Sequence, residues 1–277
     1  MNLLFALALL AIVLGISIEL SIGLRKLTHL EDIPPLPSGK IAKISIIIPA
    51  LNEEETIAPA LASVLSLDYK NLEIIVVNDR STDRTGEILD KTAERYPQVK
   101  VFHKKNLPPG WLGKNHALQF GARQATGEFL LFTDADIVME KTTLLRAINH
   151  MQKEELDHLS IIFKADVPGG LLRMVLLEFG GALMWKFKPW NVKNPESKHY
   201  MGVGAFNMVR SPVYYQIGMH ERISMCPIDD IMLGKVIKEQ KFRSDCVAGY
   251  DFVSVEWYPT IKEAARGLEK NIFAGLD

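Results

Sequence analysis

Ile44-Ser45-Ile46-Ile47-Ile48-Pro49-Ala50-Leu51-Asn52-Glu53 is the stretch whose reading decides the fold. Its isoleucine run suits a strand buried on both faces, and the run stops at Pro49. The hydrophobic period then changes: Ile57, Leu61, Val64 and Leu65 form one helical stripe, with Asn52 as a plausible cap and Glu55 three residues on. Ile74-Ile75-Val76-Val77 is a second buried strand closed by Asn78-Asp79, and Ser81-Thr82-Asp83 opens a helix carrying Ile88 and Leu89. A third strand, Val99-Lys100-Val101-Phe102, and a helix over 115–125 follow. The fourth strand, Phe129-Leu130-Leu131-Phe132, ends at Thr133-Asp134-Ala135-Asp136. A helix over 142–152 and a strand Ser160-Ile161-Ile162-Phe163 complete this half. Such alternation predicts an α/β fold with a mostly parallel central sheet flanked by helices. Ligands of these sheets bind beyond the carboxyl ends of the strands, where the polar clusters 49–53, 78–83 and 134–136 all fall.

Outside this core, the N-terminus is the clearest physical feature. From Leu3 to Ile18 the chain is apolar or small, with Ser17 the one hydroxyl, and apolar character resumes after Glu19 as far as Leu24. A helix over this stretch is about 30 Å long, enough to cross a bilayer. Met1-Asn2 offers no basic start of the kind a signal peptide carries, and Arg25 and Lys26 follow the span directly. These flanks predict a single-pass anchor over 1–24 with the rest of the chain on the cytoplasmic side. Pro34-Pro35-Leu36-Pro37-Ser38-Gly39 cannot continue a helix, so 25–42 reads as a basic, proline-rich linker. Residues 43–277 are then expected to form one folded domain. With 32 Lys and Arg against 33 Asp and Glu, the charge balance argues against a nucleic-acid partner. Cys226 and Cys246, the only two cysteines, read as reduced structural thiols. Residues 171–192 mix apolar bulk with Arg173, Trp185, Lys186, Lys188 and Trp190, which suits either a lipid–water interface or core packing, the latter helped by Gly180 and Gly181.

The acids carry the chemistry. Asp134 and Asp136 are two apart at a strand end, where strand geometry would turn both carboxylates toward one hard cation. Loop aspartates also cap turns, and it is the position on the sheet that favours a metal. Asp79 ends the second strand and suits a base or ribose, or a turn cap with Ser81 and Thr82. Asp229 and Asp230 precede an amphipathic run, Ile231-Met232-Leu233-Gly234-Lys235-Val236-Ile237. There they serve either as favourable charges at a helix N-terminus or as a general base for an acceptor hydroxyl. Lys114, in Gly110-Trp111-Leu112-Gly113-Lys114-Asn115-His116, could meet a diphosphate as a point charge or lie solvated, and His116 reads as structural.

These residues resemble a known family. Residues 45–54, with Val76-Val77-Asn78-Asp79-Arg80-Ser81-Thr82-Asp83, look like the opening of family 2 glycosyltransferases. Thr133-Asp134-Ala135-Asp136 is similar to their metal-binding Asp-x-Asp motif, and Asp229-Asp230-Ile231-Met232-Leu233-Gly234 to the acidic pair that carries the base. Pro108-Pro109-Gly110-Trp111-Leu112-Gly113-Lys114 resembles the branch with lipid acceptors, which includes ceramide glucosyltransferase-like, hopanoid-associated and carotenoid enzymes. The resemblance runs from about residue 43 to residue 271 and implies a GT-A fold, with nucleotide bound over 43–165 and acceptor over 166–277. It implies that Pro49, Ala50, Leu51, Asn52, Glu53 and Asp79 hold the base and ribose of a nucleotide-diphosphate sugar, a UDP-sugar by preference, with Lys114 near it. It implies that Asp134 and Asp136 bind Mg²⁺ or Mn²⁺ at the diphosphate, and that Asp230, beside Asp229, is the base. It also implies a membrane lipid or other amphiphile as acceptor. Val255-Glu256-Trp257-Tyr258 departs from the pattern, with glutamate where many relatives carry a basic residue. A sugar nucleotidyltransferase would need a glycine-rich loop that Pro49-Ala50-Leu51-Asn52 does not form. An inactive nucleotide-sugar-binding module is expected to have lost carboxylates that are present here.

Overall fold

The computed structural model describes residues 2–37, 41–167 and 169–256, with Lys262 and Ala264. Trp257-Tyr258 and the end of the resemblance, to residue 271, lie outside the described residues. Ten strands alternate with eight α-helices: α1 (Asn2–Leu24), β1 (Ile44–Ala50), α2 (Ile57–Leu65), β2 (Leu72–Asp79), α3 (Thr85–Arg95), β3 (Val99–Lys104), α4 (Gly113–Gln124), β4 (Phe129–Phe132), β5 (Val138–Met139), α5 (Thr143–Lys153), β6 (His158–Ile162), β7 (Lys164–Asp166), α6 (Gly170–Phe187), β8 (Asn207–Arg210), α7 (Ser211–Gln216), α8 (Asp229–Glu239), β9 (Ser244–Ala248) and β10 (Val253–Glu256) among the described residues. The main sheet runs β3-β2-β1-β4-β8-β6-β9, parallel except for β8, which is antiparallel to both β4 and β6. A small second sheet, β5-β10-β7, closes one end.

The isoleucine run is as buried as its composition demands: Ile44, Ile46, Ile47, Ile74, Ile75, Val76 and Val77 are all sealed from solvent. β1 does not stop at Pro49 but continues to Ala50, with Pro49 opposite Val77 of β2. Pairing with β4 has ended at Ile47–Phe132, so the proline sits where β1 has become a local edge and its missing N–H interrupts no ladder. Asn52 is not a helix cap. The N-cap of α2 is Thr56, and Asn52 takes a left-handed backbone, φ 57°, four residues earlier. Its Oδ1 accepts from Thr82 N (2.8 Å) and its N–H donates to Ser81 Oγ (3.0 Å), which ties the loops after β1 and β2 together.

The segment expected as a linker is packed over its described part. Leu30 is fully buried, and Leu27 and Ile33 nearly so. The Arg146 guanidinium donates to the carbonyls of Glu31 (3.0 Å) and Ile33 (2.5 Å), and Ala248 N donates to Thr28 O at 2.9 Å. α1 therefore leaves the domain from a fixed strap. Its Leu3–Leu24 stretch has mean hydropathy 2.7, is exposed over most of its length, and is the one described helix long and apolar enough to cross a membrane.

Glu73 is a buried acid that ties β1, β2, β3 and the turn before β4 together. Its carboxylate accepts from Ser45 Oγ (2.5 Å), Thr126 N (2.6 Å), Thr126 Oγ1 (2.9 Å) and Lys100 Nζ (2.9 Å). Burial pushes its pKa up, but these bonds outweigh it and hold the group at about 2. Removing one partner from such a buried charge network is expected to destabilise by roughly 3–5 kcal/mol. Glu73→Ala should therefore lower the denaturation midpoint strongly in detergent-solubilised protein, and a shift equivalent to less than about 1 kcal/mol would discount the network.

His158 is fully buried between β8 and β9, with Nε2 donating to Asn207 Oδ1 at 2.6 Å and Nδ1 without a partner among the described residues. Burial depresses its pKa to about 4. The folded state thus holds neutral imidazole while the unfolded chain binds a proton below its ordinary 6.5. That contribution to stability is complete above pH 6.5 and falls as the pH drops toward 4, by about 1.4 kcal/mol per pH unit. The unfolding midpoint should decline steadily from pH 7 to 5, and His158→Gln should flatten the decline; an unchanged slope would exclude His158 as its source.

Candidate active site

The polar clusters meet at the carboxyl ends of β1, β2 and β4, as the alternation predicts. Asp79, almost wholly buried at the end of β2, receives two bonds from its neighbour, Arg80 Nε to Oδ1 (2.9 Å) and Arg80 Nη2 to Oδ2 (2.7 Å). α4 begins against this pair: any Cβ on Gly113 would overlap Asp79 Oδ2, so glycine is required where the helix meets the carboxylate. Glu53 is fixed from both sides, its N–H donating to Thr85 Oγ1 (2.7 Å) and its Oε2 accepting from Thr56 Oγ1 (2.6 Å). Burial raises its carboxyl pKa, and nearby Asp134 and Asp83 add to the rise.

Asp134 and Asp136 are brought together by a different route from the one expected. β4 ends at Phe132, so the two acids lie in the following turn and not on one side of a strand. Asp134 N donates to Gly204 O (3.1 Å), and its Oδ1 meets Lys114 Nζ at 2.7 Å. Asp136 is pushed up to about 6, chiefly by burial and then by the charges of Asp134 and Glu53. Lys114 also reaches Asp229 Oδ1 at 3.5 Å, linking the Asp-x-Asp turn to the first turn of α8. Asp229 is buried, whereas Asp230 is half-buried with Oδ2 accepting from Gly204 N at 2.7 Å. Burial raises both acids, with Lys114 opposing.

Several residues that hold this arrangement were not singled out from the sequence. Gly202 and Gly204 lie so close to Asp230 and Asp134 that a Cβ on Gly202 would overlap the Asp230 carbonyl, and one on Gly204 would stand 2.6 Å from Asp134 Oδ2. Asn115 Nδ2 donates to Ile223 O (2.7 Å) and Cys226 O (2.9 Å), pinning the approach to α8 onto α4. Asn207 Nδ2 donates to Asp230 O at 3.2 Å. Two glycines spaced one apart just before a strand were the available signal for the first pair.

A cavity of about 1300 Å³ opens from these acids. Lys114, Asp134, Asp136 and Asp230 stand at one end, and apolar residues of α6 form its wall. The tryptophans of the 171–192 segment face α1. Trp185 Nε1 donates to Glu19 Oε2 (3.0 Å), Lys188 pairs with Glu19, and the Trp190 ring lies directly on Gly23.

Comparison with known proteins agrees with this layout. The chain is 36% identical over 118 residues to the probable glycosyltransferase YdaM of Bacillus subtilis, covering 42% of this chain and 28% of that protein. It is 26% identical over 250 residues to the 4,4'-diaponeurosporenoate glycosyltransferase of Staphylococcus haemolyticus, covering 84% of this chain and 61% of the relative. The chain thus spans less than two thirds of the length of these relatives. Among solved structures, the mannosyltransferase PcManGT from Pyrobaculum calidifontis, in complex with GDP-Man and Mn²⁺, superimposes with a TM-score of 0.68 at 22% identity. That match covers 94% of this chain and 70% of the other, and the two share the GT-A fold. Residues 45–215, more than half of the sequence, match Glycosyl transferase family 2, and the chain belongs to that family.

Proposed function

We propose that this protein is an inverting glycosyltransferase that moves a sugar from a nucleotide-diphosphate sugar to the hydroxyl of a membrane lipid, working at the cytoplasmic face. The observation that carries this reading is the convergence of Lys114, Asp134, Asp136 and Asp230 on one cavity whose wall is apolar. Residues 49–53 and Asp79 receive the base and ribose. A UDP-sugar is the favoured donor; PcManGT was solved with GDP-Man, and TarS of S. aureus with UDP and with UDP-GlcNAc. The relative from S. haemolyticus is named as a 4,4'-diaponeurosporenoate glycosyltransferase. Arg25 and Lys26, directly after the span, support the cytoplasmic orientation.

The residues present fit a divalent cation. Asp134 and Asp136, with Glu53 nearby, offer hard oxygen donors whose mutual repulsion already raises Asp136. Mg²⁺ or Mn²⁺ takes one or two carboxylates and would complete its shell with donor phosphates. Such an ion, when bound, neutralises charge on the leaving diphosphate. Lys114 adds a second positive charge there once it turns from Asp134. Asp230, held by Gly204 N–H, accepts the acceptor's hydroxyl proton as that oxygen attacks the anomeric carbon from the face opposite the diphosphate. A single displacement of this kind inverts the anomeric centre. Asp229, buried and paired with Lys114, positions the lysine and does not take the proton.

The test is a screen of radiolabelled nucleotide sugars with membrane lipid extract. Sugar label in the lipid phase together with released nucleoside diphosphate is expected. Nucleotide transfer, or donor binding without release, would replace this reading with one of its rivals.

A further inference from the structure

α6 is apolar on two faces. Leu176, Gly180, Met184 and Phe187, spaced by one helical turn, line the cavity that begins at Asp136 and Asp230, and Leu20 and Leu24 of α1 line it too. The other face leaves Met174 62%, Val175 48% and Trp185 39% exposed. Apolar side chains on two sides, interrupted by Arg173, Glu178 and Lys186, suit a helix lying at a membrane surface. Its C-terminal end is fastened to the anchor through Glu19, Trp185 and Lys188, so it lies at the depth of the last turns of the span. Trp185 at that depth suits the lipid–water boundary.

Gly180 marks what the cavity is for. Mid-helix glycine costs about 1 kcal/mol relative to alanine. Elsewhere in this protein close packing demands glycine, as at Gly113, Gly202 and Gly234, but among the described residues a Cβ on Gly180 would meet nothing within 4 Å. The space beside it is kept open, and at about 1300 Å³ the cavity exceeds the 300–1000 Å³ usual for a drug-sized ligand.

We infer that the acceptor enters sideways from the membrane, its long apolar chain lying along α6 past Gly180 to Leu20 and Leu24 of α1, its hydroxyl at Asp230. The inference deepens the transferase reading and rests on it for the reacting end. The chain site is lined by α6 and by Leu20 and Leu24 of α1, with Ile162, Ala165 and Val255 also on the cavity wall.

Gly180→Leu fills the path without displacing any neighbour and improves helix propensity, so folding is preserved. Full-length protein in nanodiscs is given two acceptors with the same head group, one long-chain and one short-chain. Gly180→Leu should lower kcat/KM for the long-chain acceptor at least tenfold and leave the short-chain one unchanged. Equal effects on both, or none on either, would overturn the inference. A second measurement needs no turnover: a long-chain alcohol carrying a diazirine is photolysed with each protein. Wild type should label α6 and the Leu20–Leu24 end of α1, and Gly180→Leu should lose that labelling. Labelling spread along all of α1 and unchanged by Gly180→Leu would also overturn it. Label on α6 from a protein that transfers no sugar to any acceptor would keep the lipid path and defeat the transferase reading instead.

Discussion

Asp136→Asn is expected to abolish metal-dependent donor binding and to lower turnover by about 10³-fold or more. The substitution removes a charged oxygen from the place where cation and diphosphate meet, and charge stabilisation by a bound metal is worth several kcal/mol in transfer reactions. In the metal-free protein Asp136 titrates near 6 because burial, Asp134 and Glu53 all oppose its ionisation. A cation binds the ionised form, so affinity for Mn²⁺ should fall as the pH drops through 6, with proton release on binding below that value. Calorimetric Mn²⁺ titration with and without donor, repeated across this pH range, measures both effects. Unimpaired activity of Asp136→Asn, or full wild-type activity in excess chelator, would remove Asp136 from the metal site.

Asp230→Asn should divide the reaction differently, cutting kcat by at least ~10²-fold while donor affinity stays close to wild type. The amide keeps the shape of the side chain and can still accept from Gly204 N–H, so the loop stays in place and only the proton acceptor is lost. Asp229→Asn removes a partner of Lys114, and its main effect should appear in donor affinity. Pre-steady-state release of nucleoside diphosphate separates the two. If Asp229→Asn damages the chemical step more than Asp230→Asn does, with both proteins folded, the base has been assigned to the wrong acid.

The two acids of this pair show how far a sequence can be read. Asp229 and Asp230 were equally acceptable as helix-terminal charges or as a base, because neighbours in one helical turn share the same local environment. Both line the cavity, but folding distinguishes them: Asp229 is buried against Lys114, whereas Asp230 is half-buried and held by a backbone N–H from residue 204. Asn52 is the opposite case: local statistics assigned it to a helix start, whereas a contact with Thr82, thirty residues away, holds it in the left-handed region.

The sequence by itself determined the period of each segment, and with it the buried strands from Ile44, Ile74 and Phe129, the helices between them and an apolar helix able to span a bilayer. Those features follow from local geometry, since side-chain periodicity and turn chemistry act over a few residues. Only the tertiary structure decided that residues 25–37 pack as a strap, that β8 enters the sheet antiparallel between β4 and β6, and that Glu19 of the anchor is clasped by Trp185 and Lys188. It likewise decided that Gly202 and Gly204 bring backbone against Asp230 and Asp134. Each of these depends on groups far apart in the chain, held at a few ångströms by packing that no local pattern encodes.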